Sequence, residues 1–174
     1  MKNIGLRLAR YQFRKERDTV QPFTNFFSGA KNVLVILPVG YDEAILASEA
    51  LSVHKDKLSN VHLIVIHNST RFTSLAIFPR SEVIRLDPPD LNRFFLPRTS
   101  VIQRLPKHQY DVAMDLNLDF VLHSAYICKA SRARIRVGFS HPEADLFYNV
   151  QMQFNGPRTP QAMFDKFVNC LSMF

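Results

Sequence analysis

Asn32-Val33-Leu34-Val35-Ile36-Leu37-Pro38-Val39-Gly40-Tyr41-Asp42-Glu43-Ala44 is the stretch from which the fold is read. Residues 33–37 are an unbroken β-branched and aliphatic run, the pattern of a strand buried on both faces of a parallel sheet. Pro38 to Tyr41 is a turn. Asp42 is placed to cap a helix whose packing face is Ala44, Leu46, Ala47, Ala50 and Leu51. A buried strand feeding a helix through a short turn is the first half of a βαβ unit.

The pattern repeats downstream. Val61 to Ile66 reads as a second buried strand, Asn68 to Phe78 as a short helix ended by Pro79, and Val83 to Leu86 as a third strand. Residues 90–108 read as helical pieces broken by Pro97 and Pro106. Tyr110 to Leu116 reads as a fourth strand, Phe120 to Lys129 as a helix, Arg134 to Phe139 as a fifth strand and Leu146 to Phe154 as a sixth. Pro160 opens a last helix, with Met163, Phe164, Phe167, Val168 and Leu171 as its apolar stripe. Strands alternating with helices predict a single Rossmann-like α/β domain over residues 29–174, its mostly parallel sheet flanked by helices and joined by right-handed crossovers.

The 174 residues suit one such domain, and 47% apolar content suits a packed core. The net charge of +7 is concentrated at one end. Lys2, Arg7, Arg10, Arg14, Lys15 and Arg17 face Glu16 alone, so five of the seven net charges lie in the first 17 residues. Residues 1–28 thus read as a basic arm. On a helix Arg7, Arg10, Arg14 and Arg17 share one face and Ile4, Leu8 and Tyr11 another. The arm then reads either as a solvated helix packed on the domain by its apolar side or as a basic docking surface for an acidic protein or an anionic membrane. Phe23, Phe26 and Phe27, ahead of the first strand, either cap the core or anchor a partner. Tyr11 and Phe13 interleaved with Arg10 and Arg14 also suit stacking on single-stranded nucleic acid, or a protein interface.

Other chemistries lack their signatures. The first turn has one glycine, Gly40, and neither a dinucleotide fingerprint nor a phosphate-binding loop. The six histidines show no metal-ligand spacing, and Cys128 and Cys170 read as separate buried thiols. No cofactor and no metal are expected. The arginines interrupt any signal-peptide core, and no stretch reaches the roughly 18 apolar residues that span a bilayer. These features place the chain in the cytoplasm.

Three segments resemble family 9 glycosyltransferases, the heptosyltransferases. Ala44-Ile45-Leu46-Ala47-Ser48-Glu49-Ala50-Leu51 is similar to the family's "AVLATPAL" helix. Tyr110-Asp111-Val112-Ala113-Met114-Asp115-Leu116 resembles its "YDVAIDLQ" strand, and Ala130 to Phe139 its "ARIRIGF" passage. The resemblance implies the acceptor-side half of a GT-B fold. In the family a second Rossmann-like domain binds the nucleotide sugar, and about half of the family's length has no counterpart in this sequence.

The family's catalytic base, an Asp in the first loop, corresponds to Glu43 on an ungapped count from Leu51 and to Asp42 after a one-residue shift. Either could act as a general base, or serve only as helix cap and first-turn charge. With no donor-binding half, no catalytic residue is expected. The resulting expectation is a non-catalytic accessory subunit held by Arg7, Arg10, Tyr11, Arg14, Lys15, Arg17, Phe23, Phe26 and Phe27 to the acidic surface of a larger assembly. A cytoplasmic-side peripheral position on a membrane complex, such as a photosynthetic reaction centre, is one such setting. The alternatives are half of a split glycosyltransferase and a nucleic-acid-binding module.

Overall fold

The computed structural model describes residues 1–16, 29–53, 58, 61–68, 81–156 and 159–171. The helix expected at residues 68–78, together with Arg17, Phe23, Phe26 and Phe27, lies outside them, apart from Asn68.

Among the described residues six strands form one sheet: β1 (Asn32–Ile36), β2 (His62–His67), β3 (Ser81–Arg85), β4 (Val112–Asp115), β5 (Ile135–Phe139) and β6 (Val150–Met152). Their order is β3-β2-β1-β4-β5-β6 and every pairing is parallel. The helices among the described residues are α1 (Lys2–Phe13), α2 (Tyr41–Ser52), α3 (Thr99–Arg104), α4 (Leu122–Ala130) and α5 (Pro160–Leu171). This is the doubly wound Rossmann arrangement, in which the chain direction across the sheet reverses between β1 and β4.

Alternation along each strand sorts side chains into two cores. Val33 and Val35 of β1, with Leu37 just after it, join Val112, Met114, Ile135 and Val137 beneath α2 and α5. Leu34 and Ile36 join Ile64, Ile66, Ala113, Ile127 and Phe147 on the other face. Both faces are covered, which is why residues 33–37 and 63–66 read as unbroken apolar runs, while β4 and β5 carry the buried Asp115 and Arg136 within theirs. The sixth strand is shorter than its alternating sequence suggests. Residues 144–146 make a single 3-10 turn, leaving only Val150–Met152 beside β5.

The α1 helix packs on α4, but by a different face from the apolar side read in the sequence. Gly5, Ala9 and Phe13, spaced by four, point inward. Phe13 meets Tyr126 at 5.0 Å between ring centroids and Phe147 at 6.4 Å. A side chain at Gly5 would overlap the Phe94 carbonyl and come within 2.9 Å of Leu122 Cδ2. The small-residue stripe wins because it allows the closest approach to the domain. Ile4 (49% exposed), Leu8 (43%) and Tyr11 (65%) therefore face solvent, a correction to the reading in which they pack inward.

Candidate functional site at the strand-order switch

In doubly wound sheets ligands bind outside the carboxyl ends of the strands, where the strand order reverses. Here that point lies between β1, followed by Pro38 to Tyr41, and β4, followed by Leu116 to Phe120. A polar lock holds the two strand ends together. Asn117 accepts a hydrogen bond from the Val39 backbone N–H at its Oδ1 (2.9 Å). Its Nδ2 donates to Asp115 Oδ1 (2.7 Å), as does its own backbone N–H (3.1 Å). The Tyr148 hydroxyl donates to Asp115 Oδ2 (2.7 Å).

Asp115 is 1% exposed, on the same sheet face as Ala113. Burial pushes its carboxyl up to about 6, against the opposing pull of the bonds from Tyr148 and Asn117. Burial, with the Asp115 carboxylate second, raises the Tyr148 hydroxyl well above its ordinary value. Gly138 makes this contact possible. A Cβ there would lie 2.7 Å from the Tyr148 ring, so the bare backbone of β5 is what lets the ring lie against it and reach Asp115. Arg136, also on β5 and buried, donates to the carbonyls of Phe147 and Ala133 and ties down the segment that carries Tyr148. The Asp115 carboxylate is thus occupied by three donors inside the domain.

The two candidate bases sit on α2. Its N-cap is Gly40, with extended backbone, and not Asp42 as the sequence reading had it, because the helix already begins at Tyr41. Asp42 and Glu43 both fall in the first turn, where their charges complement the helix dipole. Asp42 is exposed. Glu43 is half-buried and folds back toward Gly40, whose missing Cβ would lie 3.5 Å from the Glu43 Oε2. A second polar pair stands at the carboxyl end of β5, where His141 Nδ1 contacts Glu143 Oε2 and the imidazole stacks on Phe120 at 5.5 Å. The spacing of His141 and Glu143 carried no recognisable motif, and the Asp115–Tyr148 pair joins residues 33 positions apart.

The arm residues distribute differently. Arg7, Arg10, Tyr11, Arg14 and Lys15 are all exposed on α1 or just beyond it, and the Arg14 guanidinium lies 4.1 Å over the Tyr11 ring. Among the described residues no helix is long and apolar enough to cross a membrane, and no group of three or more His, Cys, Asp or Glu is placed to hold a metal ion.

No family profile and no curated protein matches the sequence. Solved structures do. Escherichia coli heptosyltransferase WaaC with ADP superposes with a TM-score of 0.64 at 14% identity, over 80% of this chain and 46% of that one. The same enzyme with ADP-2-deoxy-2-fluoro heptose gives 0.64 at 13% identity, over 80% and 47%. A family 9 glycosyltransferase from Veillonella parvula DSM 2008 gives 0.65 at 16% identity, over 83% and 42%. This chain spans under half the length of these proteins. Its fold is that of one Rossmann-like half of a GT-B, family-9-like glycosyltransferase.

Proposed function

We propose that the chain is a non-catalytic docking subunit built on half of a glycosyltransferase fold, and that α1 attaches it to a larger assembly with an acidic surface. The observation that carries this reading is the outer face of α1. Ile4, Leu8 and Tyr11 are exposed side by side, flanked by Arg7, Arg10, Arg14 and Lys15. Exposed aromatic and apolar side chains rimmed by arginine are the composition of a protein interface. The charge would steer association with an acidic partner. At the switch point Asp115 is consumed by internal hydrogen bonds, which favours a structural use of the old ligand end. A cytoplasmic-side peripheral place on a membrane complex, with a photosynthetic reaction centre as one example, fits a basic, apolar-tipped attachment helix. Arg17, Phe23, Phe26 and Phe27, outside the described residues, belong to the same proposed set of partner contacts on sequence grounds alone.

The test is purification of the native protein under mild conditions, beside a variant with Arg7, Arg10 and Arg14 changed to Ala and one with the same residues changed to Lys. Stoichiometric recovery of a larger complex that is lost with Ala and regained with Lys supports docking through charge. Unchanged recovery with the Ala variant overturns it.

A second reading, half of a split glycosyltransferase, is favoured by the match to under half of each enzyme's length. It requires a separate chain that binds a nucleotide sugar, with Asp42 or Glu43 facing the shared cleft. Recovery of such a chain would replace the docking reading. Recovery of nucleic acid with steep salt dependence would instead favour a nucleic-acid module.

A further inference from the structure

At the amino ends of the strands, opposite the switch point, lies a cavity of about 530 Å³. The end of α3, the segment leading into β4 and the end of α4 enclose it. Ile102, Leu105 and Tyr110 give it apolar walls, and Lys107, His108 and Arg132 give it polar groups. Its volume is that of a small-molecule pocket, and a few convergent polar groups on apolar walls are the usual composition of one. A smaller cavity of about 220 Å³ shares Ile102 and Arg132 with it and continues toward Phe13, Tyr126 and Glu16, so a nearby carboxylate lines the smaller cavity and not the larger.

Three observations give the cavity a preference. No carboxylate lines it, and Glu82, the acidic group that acts on Tyr110, is itself 3.9 Å from His62 Nε2. The His108 ring is clamped between Tyr110 and His62, each at 5.1 Å, while its Nε2 is shielded from water and has no hydrogen-bond partner among the described residues. Nε2 is turned away from the cavity, and the held ring contributes an aromatic wall to it.

The third observation is Arg132. It follows the Ser131 C-cap of α4 in the left-handed region, at φ 56, where glycine is the residue without steric cost. The turn uses only its backbone N–H, which donates to the Lys129 carbonyl at 3.1 Å. Its guanidinium makes no ion pair or hydrogen bond with the described residues. Arg132 lines both cavities, and backbone strain of this kind clusters at binding sites.

We infer that this cavity binds a small anionic ligand with an apolar body, its phosphate or carboxylate held by Arg132 and Lys107 and its body resting among Ile102, Leu105, Tyr110 and the His108 ring. Arginine matches the planar oxygens of either group. The site is separate from the α1 docking face and does not depend on it.

The experiment is calorimetric titration of the full chain with phenyl phosphate, benzoate and, as the neutral analogue, benzyl alcohol, with NMR of the His108 imidazole alongside. At least one anion binds at least ten-fold tighter than the alcohol and shifts the His108 resonances. Phenyl phosphate ahead of benzoate marks a phosphate site, and the reverse order a carboxylate site. Arg132→Gly raises the melting temperature and weakens anion binding at least ten-fold, a combination that a purely structural arginine would not give. Lys107→Met, on an exposed residue, weakens binding several-fold without changing stability. Equal binding of the alcohol, undiminished binding by both variants, or no binding of either anion at millimolar concentration overturns the inference.

Discussion

Replacing Tyr148 with Phe keeps the ring against Gly138 and removes one hydroxyl, so it isolates the bond to Asp115 Oδ2. In the folded protein Asp115 holds its proton to about pH 6, whereas an unfolded Asp releases it near 3.8. Between those values the native state binds more protons than the unfolded state, so stability falls as pH rises through the window and is level above it. The difference corresponds to about 3 kcal/mol. Above pH 6 the Tyr148 hydroxyl serves an ionised acceptor, and its loss costs about 1.5–3 kcal/mol; below pH 5 it serves a neutral acid, and the loss is about 1 kcal/mol. Tyr148→Phe also pushes the Asp115 carboxyl higher, carrying the decline of stability to higher pH. Urea unfolding of wild type and variant at pH 4.5 and pH 8 measures both differences. A loss that is the same at the two pH values refutes the argument that an ionised, buried Asp115 leans on Tyr148. Asp115→Asn provides the control, since it removes this site's share of the pH dependence between 4 and 6.

Gly138→Ala drives a methyl group into the Tyr148 ring and costs about 3 kcal/mol from overpacking and the disturbed carboxylate; combined with Tyr148→Phe the losses are less than additive, which a double-mutant cycle in urea measures. Phe13→Ala empties the pocket between Tyr126 and Phe147 and costs about 3 kcal/mol, with hydrogen exchange showing lost protection of the α1 amides first. Arg132→Gly relieves a left-handed backbone and stabilises the chain by about 1 kcal/mol, read as a higher urea midpoint. Docking through α1 weakens steeply between 50 and 300 mM salt if Arg7, Arg10 and Arg14 carry it, because exposed charges are screened within about 10 Å at 0.1 M; insensitivity to salt would move the interface elsewhere.

Periodicity located the six strands, the helices after β1 and β4 and the last helix, and much of the core, though it overran β6. Val33 to Leu37 and Val61 to Ile66 read as strands covered on both faces and Tyr110 to Leu116 as a further strand, and a parallel sheet follows from the helices between them. The clustering of charge in the first 17 residues was equally plain, because it is a property of composition. Which face of α1 packs was not legible. Hydrophobicity pointed to Ile4, Leu8 and Tyr11, but the domain offers a surface on which Gly5 and Ala9 sit closest, and shape complementarity outweighed side-chain polarity. The Asp115–Tyr148 lock, the His141–Glu143 pair and the cavity around His108 and Arg132 likewise required the tertiary structure. Each brings together groups from different elements, and a left-handed arginine looks in sequence like any other arginine. One-dimensional patterns report which residues avoid water; only the packed chain decides which polar groups are left facing one another inside it.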